Sequence, residues 1–194
     1  MNNDENTVYF VTGNKFKFQE VSEIFKDKNM KYDLKQRDIK TTEIQAHSLR
    51  EVALFKLNSV KNSIDGSFFI EDAGFFIDSP LKGFPGVYSS YVLKTIGNEG
   101  ILKLIDDFEL SKAHFSAIIA FYHKFIDKIL FFEGNVEGRV SNTIRGKGGF
   151  GFDPIFIPNI LPDKTFAELS AEEKNKISHR GQAFTKLLDY LEKK

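Results

Sequence analysis

Runs of apolar residues, broken by polar turns, divide the chain into strands and helices in mixed order. Val8-Tyr9-Phe10-Val11 is a short continuous apolar run, the pattern of a buried strand. Thr12-Gly13-Asn14 then turns the chain into a helix over about residues 15–25, with Val21, Ile24 and Phe25 as its apolar face. Residues 32–39 read as a weaker strand or a loop. Ser48-Leu49-Arg50-Glu51 is a capping box with Ser48 at the N-cap. The helix it opens carries Leu49, Val52, Ala53, Leu57 and Val60 on one side. Phe68-Phe69-Ile70 predicts a strand, residues 71–74 a polar break, and Phe75-Phe76-Ile77 a second extended run. Residues 82–86 read as a loop, and Ile101, Leu102, Leu104, Ile105 and Phe108 mark an amphipathic helix.

The second half is richer in strands. Residues 115–122, 128–132 and 135–140 read as three successive strands, the last two joined near Gly134. Residues 146–151 form a glycine-rich loop, and a second capping box, Ser170-Ala171-Glu172-Glu173, opens a short helix. A final helix turns Ala183, Phe184, Leu187, Leu188 and Leu191 inward. Strands and helices in this mixed order predict an α/β fold with a mixed sheet.

Composition narrows the partners. Lys and Arg together equal Asp and Glu, so the formal net charge is zero, which argues against a nucleic-acid partner. Cysteine is absent, so disulfides and thiolate metal sites are excluded. The stretch Met1-Asn2-Asn3-Asp4-Glu5-Asn6 is polar and acidic, unlike a signal peptide. The longest uncharged stretch, around residues 115–122, falls far short of the ~18 apolar residues of a membrane span. A cytoplasmic protein with no membrane partner is the expectation.

Four segments carry chemistry. In the first, Val8 to Lys17, a strand, a glycine turn and a helix start form an anion site of backbone N–H groups, to which Thr12 and Asn14 can add side-chain donors. Lys15 and Lys17 oppose the helix dipole there, which suggests a bound polyanion. A plain strand-turn-helix with solvated lysines is the simpler account of that segment alone. In the second, Glu71 and Asp72 follow a very apolar strand and, in extended chain, point to opposite faces, so they do not share one role. Carboxylates against an apolar wall are costly unless paired or bound to a cation, and magnesium suits one or two carboxylates plus phosphates. Glu43 is a second candidate ligand, with a solvated strand-end turn as the alternative. In the third, Gly148 to Pro158, Phe150 and Phe152 can flank a flat base and Asp153 can accept from its N–H edge, although core phenylalanines in a tight turn explain the same pattern. In the fourth, Lys174 precedes His179 and Arg180, which Ser178 would place at the start of the last helix; a surface or core histidine is the plain alternative.

Together the segments resemble the inosine triphosphate pyrophosphatase family, the noncanonical purine NTP pyrophosphatases. The resemblance runs from Val8 to about Tyr190 and rests on TGNKFK at Thr12, EDAGFFID at Glu71, GFPGVYSSY at Gly83, GFGFDPIF around Phe150, and TFAELSAEEKNKISHRGQA. It implies a single two-lobed domain over residues 1–194, with an elongated mixed sheet, flanking helices and a central nucleotide-binding cleft. It also implies a homodimer that hydrolyses ITP, dITP or XTP to the monophosphate and pyrophosphate. The alternatives are a pyrophosphatase for pyrimidine or modified nucleotides, and a non-catalytic nucleotide sensor. By resemblance Thr12, Gly13, Asn14, Lys15, Phe16 and Lys17 face the triphosphate. Glu43 and Asp72 match Mg2+ ligands, with Asp72 also the general base. Ala73, Phe150, Gly151, Phe152, Asp153, Lys174, His179 and Arg180 match substrate contacts. The family often has Ser where this chain has Ala73, so a hydroxyl contact is lost there while a backbone contact survives.

Overall fold

The computed structural model describes residues 6–27, 31–106 and 111–193. Phe108, expected on a helix, lies outside them. Seven strands form a mixed sheet in the order β2-β1-β3-β5-β6-β7, with the short β4 paired to β3. They are β1 (Thr7–Val11), β2 (Asp33–Arg37), β3 (Ser67–Ser79), β4 (Phe84–Gly86), β5 (Lys112–His123), β6 (Lys128–Val140) and β7 (Phe156–Pro158). β1 runs parallel to β2 and β3, while the β3–β4 and β6–β7 pairs are antiparallel. The helices are α1 (Lys15–Asp27), α2 (Leu49–Val60), α3 (Ser89–Thr95), α4 (Gly97–Leu104), α5 (Ala171–Ile177) and α6 (His179–Glu192). None of the described helices is long and apolar enough to cross a membrane.

Three expectations about elements need correction. Glu71 to Gly74 is no break: β3 runs unbroken from Ser67 to Ser79. A buried carboxylate inside a strand looks like a break until its cationic partners are seen, and for Glu71 those come from other elements. The two strands expected on either side of Gly134 are one strand, β6, in which burial alternates strictly from Glu133 to Val140. Gly134 occupies an inward position of that alternation rather than a turn. The loop over residues 82–86 contains β4, whose Pro85 sits on a three-residue edge where no ladder N–H is required.

The chain divides into two compact units: one of residues 1–72, 117–134 and 180–194, the other of residues 73–116 and 135–179. The first is built on aromatic stacking. Phe10 of β1 stacks on Phe69 of β3 at 4.5 Å, and Phe69 meets Phe184 of α6 at 5.5 Å. Val21 and Phe25 of α1 and Ala53 and Leu57 of α2 complete its core. In the second unit Phe75, Phe115, Phe152, Phe156 and Phe166 form a buried cluster with Ile77, Ile101 and Ile155. Ser89 ties this unit's GFPGVYSSY segment together, accepting from the Phe75 N–H at 2.7 Å and donating to the Gly86 carbonyl at 2.6 Å. The motif is therefore at least partly structural.

Candidate active site

In the first unit, β1 delivers the chain to Thr12 and α1 begins at Lys15. The side chains of the turn act as acceptors rather than as the expected donors. Thr12 Oγ1 accepts from the Asn14 N–H at 3.1 Å, and Asn14 Oδ1 accepts from Phe16 and Lys17 N–H at 3.0 and 3.1 Å. Asn14 thus caps α1. The Asn14, Phe16 and Lys17 amides that an anion site would need are engaged by these side chains. Lys15 and Phe16 are exposed.

Lys17 has a partner that sequence reasoning did not give it. Its Nζ lies 2.6 Å from Glu71 Oε2 and 3.4 Å from the Glu71 carbonyl. Glu71 is fully buried and is also held by Arg180 Nε at 3.2 Å, while Arg180 Nη1 reaches Glu20 on α1 at 2.5 Å. Burial alone would raise the Glu71 pKa, but Arg180 and Lys17 outweigh it and hold the carboxyl below its usual range. Lys17 near the start of α1 and Arg180 near the start of α6 are therefore matched by internal carboxylates.

Asp72 turns the other way and is partly exposed. Its Oδ1 lies 3.7 Å from Lys56 Nζ, and Glu43 Oε1 lies 2.9 Å from the same nitrogen. Burial pushes Asp72 above the usual carboxylate range, and the neighbouring Glu71 and Glu43 add to this against the pull of Lys17 and Lys56. Burial opposes the charge of Lys56, yet Asp72 and Glu43 together raise its pKa. Two carboxylates converging on one cation form an oxygen donor set of the kind that divalent magnesium takes.

In the second unit, the loop of residues 148–153 is organised by Asp153. Its Oδ2 accepts from the Phe150 N–H at 2.7 Å and from Lys174 Nζ at 2.6 Å, and both charged side chains are almost fully buried. Gly149, at φ +65°, leaves the space that this carboxylate fills, and a side chain there would collide with it. Lys174 Nζ also sits 4.9 Å from the centre of the Phe150 ring, a cation–π contact. Phe152 is buried and stacks on Phe75 at 5.1 Å, so it serves the core. His179 is buried too, its ring lying flat on Phe115 at 4.7 Å. Ala73 opens this unit.

A second group of metal-ligand type lies in the same unit. Asp78, His114 and Glu137, on β3, β5 and β6, place their ligand atoms within 4.8 Å of one another. His114 Nδ1 is 2.8 Å from Asp78 Oδ2, and its ring stacks on Phe76 at 4.7 Å. The chain thus carries side chains suited to a divalent cation, in this group and at Glu43 with Asp72.

Residues 8–190 match the sequence model of the Ham1 family. The chain belongs to the Ham1 family. A protein of Thermococcus kodakarensis named dITP/XTP pyrophosphatase is 46% identical over 183 residues, covering 94% of this chain and 95% of its own. A protein of the same name from Pyrococcus horikoshii is 46% identical over 185 residues, covering 95% and 96%. Among solved structures, a HAM1 protein from Coxiella burnetii superposes with a TM-score of 0.80 at 28% identity, over 97% of this chain and 99% of that one. The Ham1 protein of Staphylococcus aureus gives 0.77 at 28% identity, over 96% and 98%.

Three residues of this Ham1 chain escaped the sequence reading. Lys56 on α2 and Glu20 on α1 were not singled out by any motif. Glu71 was separated from Asp72 in role but given no partner. No local pattern reveals these contacts, because the partners lie far apart in sequence: Glu20 and Arg180 are 160 residues apart. A cation at a helix start was the one signal that pointed toward them.

Proposed function

We propose that this chain hydrolyses noncanonical purine nucleoside triphosphates, namely ITP, dITP and XTP, to the nucleoside monophosphate and pyrophosphate, and so cleanses the nucleotide pool. Membership of the Ham1 family and its dITP/XTP pyrophosphatase relatives support the reaction class. The observation that carries it in the structure is the convergence of Glu43 and Asp72 on one cation, Lys56.

Hydrolysis between the α- and β-phosphates requires that charge be offset, that a water be aimed and that pyrophosphate depart. Lys17 serves the first need, since an ammonium has three donors and Glu71 engages two. Lys15 adds positive charge, while Lys174, paired with Asp153, shapes the loop of residues 148–153. Asp72 accepts the proton of the attacking water, a contribution of typically about 10²–10⁴-fold, and its raised pKa makes it a stronger base than an ordinary aspartate. A magnesium ion held by Glu43 and Asp72 would polarise phosphate oxygens and supply electrostatic stabilisation. Thr12, Gly13, Asn14 and Phe16 shape the turn that meets the phosphates. Everything else is positioning and preorganised charge.

Base choice follows from donors. Hypoxanthine and xanthine offer a 6-oxo acceptor where adenine offers an amino donor. His179 and Arg180 supply the donors, with Glu20 and Glu71 fixing the guanidinium through Nη1 and Nε. Adenine would leave such donors unpaired, at about 1–3 kcal/mol for each buried group. Phe150, Gly151 and Asp153 form the base side, which Phe152 supports from the core, and Ala73 contributes a backbone contact. A cytoplasmic homodimer using magnesium completes the proposal.

A panel of ITP, XTP, dITP, dUTP, dTTP, GTP and ATP, read for pyrophosphate against orthophosphate, tests it. Preferred cleavage of ITP and XTP with pyrophosphate release is expected. Preference for dTTP or UTP, or tight ITP binding without turnover in magnesium, would sink it. Light scattering on the eluted protein decides the dimer.

A further inference from the structure

We infer that Asn98 is a positioning residue for the base-binding loop, holding the Gly151 carbonyl so that Phe150 presents a fixed ring to the nucleotide base. This rests on the reading that residues 150–153 take the base.

Asn98 is the second residue of α4, and its Nδ2 donates to the Gly151 carbonyl at 3.1 Å. The other anchors of the loop converge on different atoms. Asp153 holds the Phe150 N–H, and Phe152 is fixed by stacking on Phe75. The Gly151 carbonyl lies between those two aromatic residues in the chain, and Asn98 holds it from another element.

Two observations give this bond weight. Asn98 Oδ1 is buried and has no hydrogen-bond partner. A buried acceptor left unpaired is a net cost, so the amide's donor half must compensate for its other half. Turning the amide over would set oxygen against oxygen, so the donor orientation is fixed by the contact itself. Gly151, in turn, sits at φ +70°, and the nearest atom to a side chain placed there would be Leu93 Cδ2 at 3.9 Å. A glycine in this region has freedom to lose and no side chain to pack, so an external bond is what holds it. Without that bond the 150–151 segment must be ordered at the moment of binding, which weakens affinity for the base without touching the phosphates.

The test compares wild type with Asn98→Asp, isosteric but unable to donate, and with Asn98→Leu, which removes both polar halves should the aspartate variant fail to fold. In steady-state assays the KM for ITP should rise about five- to tenfold, the weight of one hydrogen bond, with kcat changed by less than about twofold. The inhibition constant of inorganic tripolyphosphate, which has no base, should stay at the wild-type value. An unchanged KM, or a tripolyphosphate constant that weakens in step with it, overturns the inference. In the ligand-free variants, amide hydrogen exchange across residues 149–153 should be faster while α6 keeps its protection. Unchanged exchange in the loop overturns the inference whatever the kinetics. A wild-type enzyme that ignores ITP would instead refute the base reading, and the exchange experiment would still decide whether Asn98 holds the loop.

Discussion

Two buried ionic clusters, one in each unit, are built on opposite plans. In the first unit Lys17, Glu71, Arg180 and Glu20 alternate in sign and satisfy one another through contacts of 2.5–3.2 Å. Lys56 repeats the idea between Glu43 and Asp72. In the second unit a single pair, Lys174 with Asp153, is wrapped in the rings of Phe150 and Phe166. A network of alternating charges can redistribute when further charge is added, whereas an isolated pair can only hold its own loop. A dispersed network and an isolated pair should also fail differently.

The largest effect is expected from Asp72→Asn, which keeps the shape and removes the base. Turnover should fall by about 10²–10⁴-fold with an unchanged melting temperature. Near-normal kcat would remove Asp72 from the chemistry. Next comes Arg180→Ala, which leaves both Glu20 and Glu71 short of a partner in the interior. A loss of about 3–5 kcal/mol in urea-unfolding stability is expected, since breaking a buried pair strands a charge. A loss under about 1 kcal/mol, the range of surface pairs, would show the network to be solvated. Lys174→Met takes a cation from one carboxylate, Asp153, where Arg180→Ala takes one from two and leaves Glu71 only Lys17, and its cost in the same assay should be the smaller.

The acid response separates the units further. Glu71 has a folded pKa below its ordinary value of 4.5, so it binds fewer protons folded than unfolded. Its contribution is fully present above 4.5 and is lost as pH falls through the lower folded value. Asp72 is raised from 3.8, so its contribution has the opposite sign, present below 3.8 and lost as pH rises through the folded value. Stability measured in chelator should therefore fall less on acidification through this range in Glu71→Gln than in wild type. A parallel pH dependence would show that Glu71 is not the acid-labile group. The smallest effect is expected from Ala73→Ser, with kcat/KM within about threefold of wild type, the range of a minor contact; a large gain would reveal a missing hydroxyl contact.

Much of this was legible in the chain itself. The capping boxes at Ser48 and Ser170 form as read, because a short reciprocal pattern needs no distant partner. The α/β class and the family membership were legible too, the latter because its motifs are long and ordered. Strand continuity at Glu71 and Gly134 was not legible. One is a charge paired with α1 and α6, the other a glycine at an inward position, and each mimics a turn locally. Lys56 was missed because helical spacing alone cannot tell a solvated lysine from one set against two carboxylates on other elements.

The Glu71 network has a consequence for how the protein is made. Glu71 meets Lys17 across 54 residues of sequence, and Arg180 across 109. Until α6 has been made, Glu71 has Lys17 beside it but lacks its second cation, Arg180. Arg180 and its contacts to Glu20 and Glu71 therefore come only with the last residues translated. A chain cut before Arg180 would hold the residues of every strand of the sheet but not this balance of buried charge.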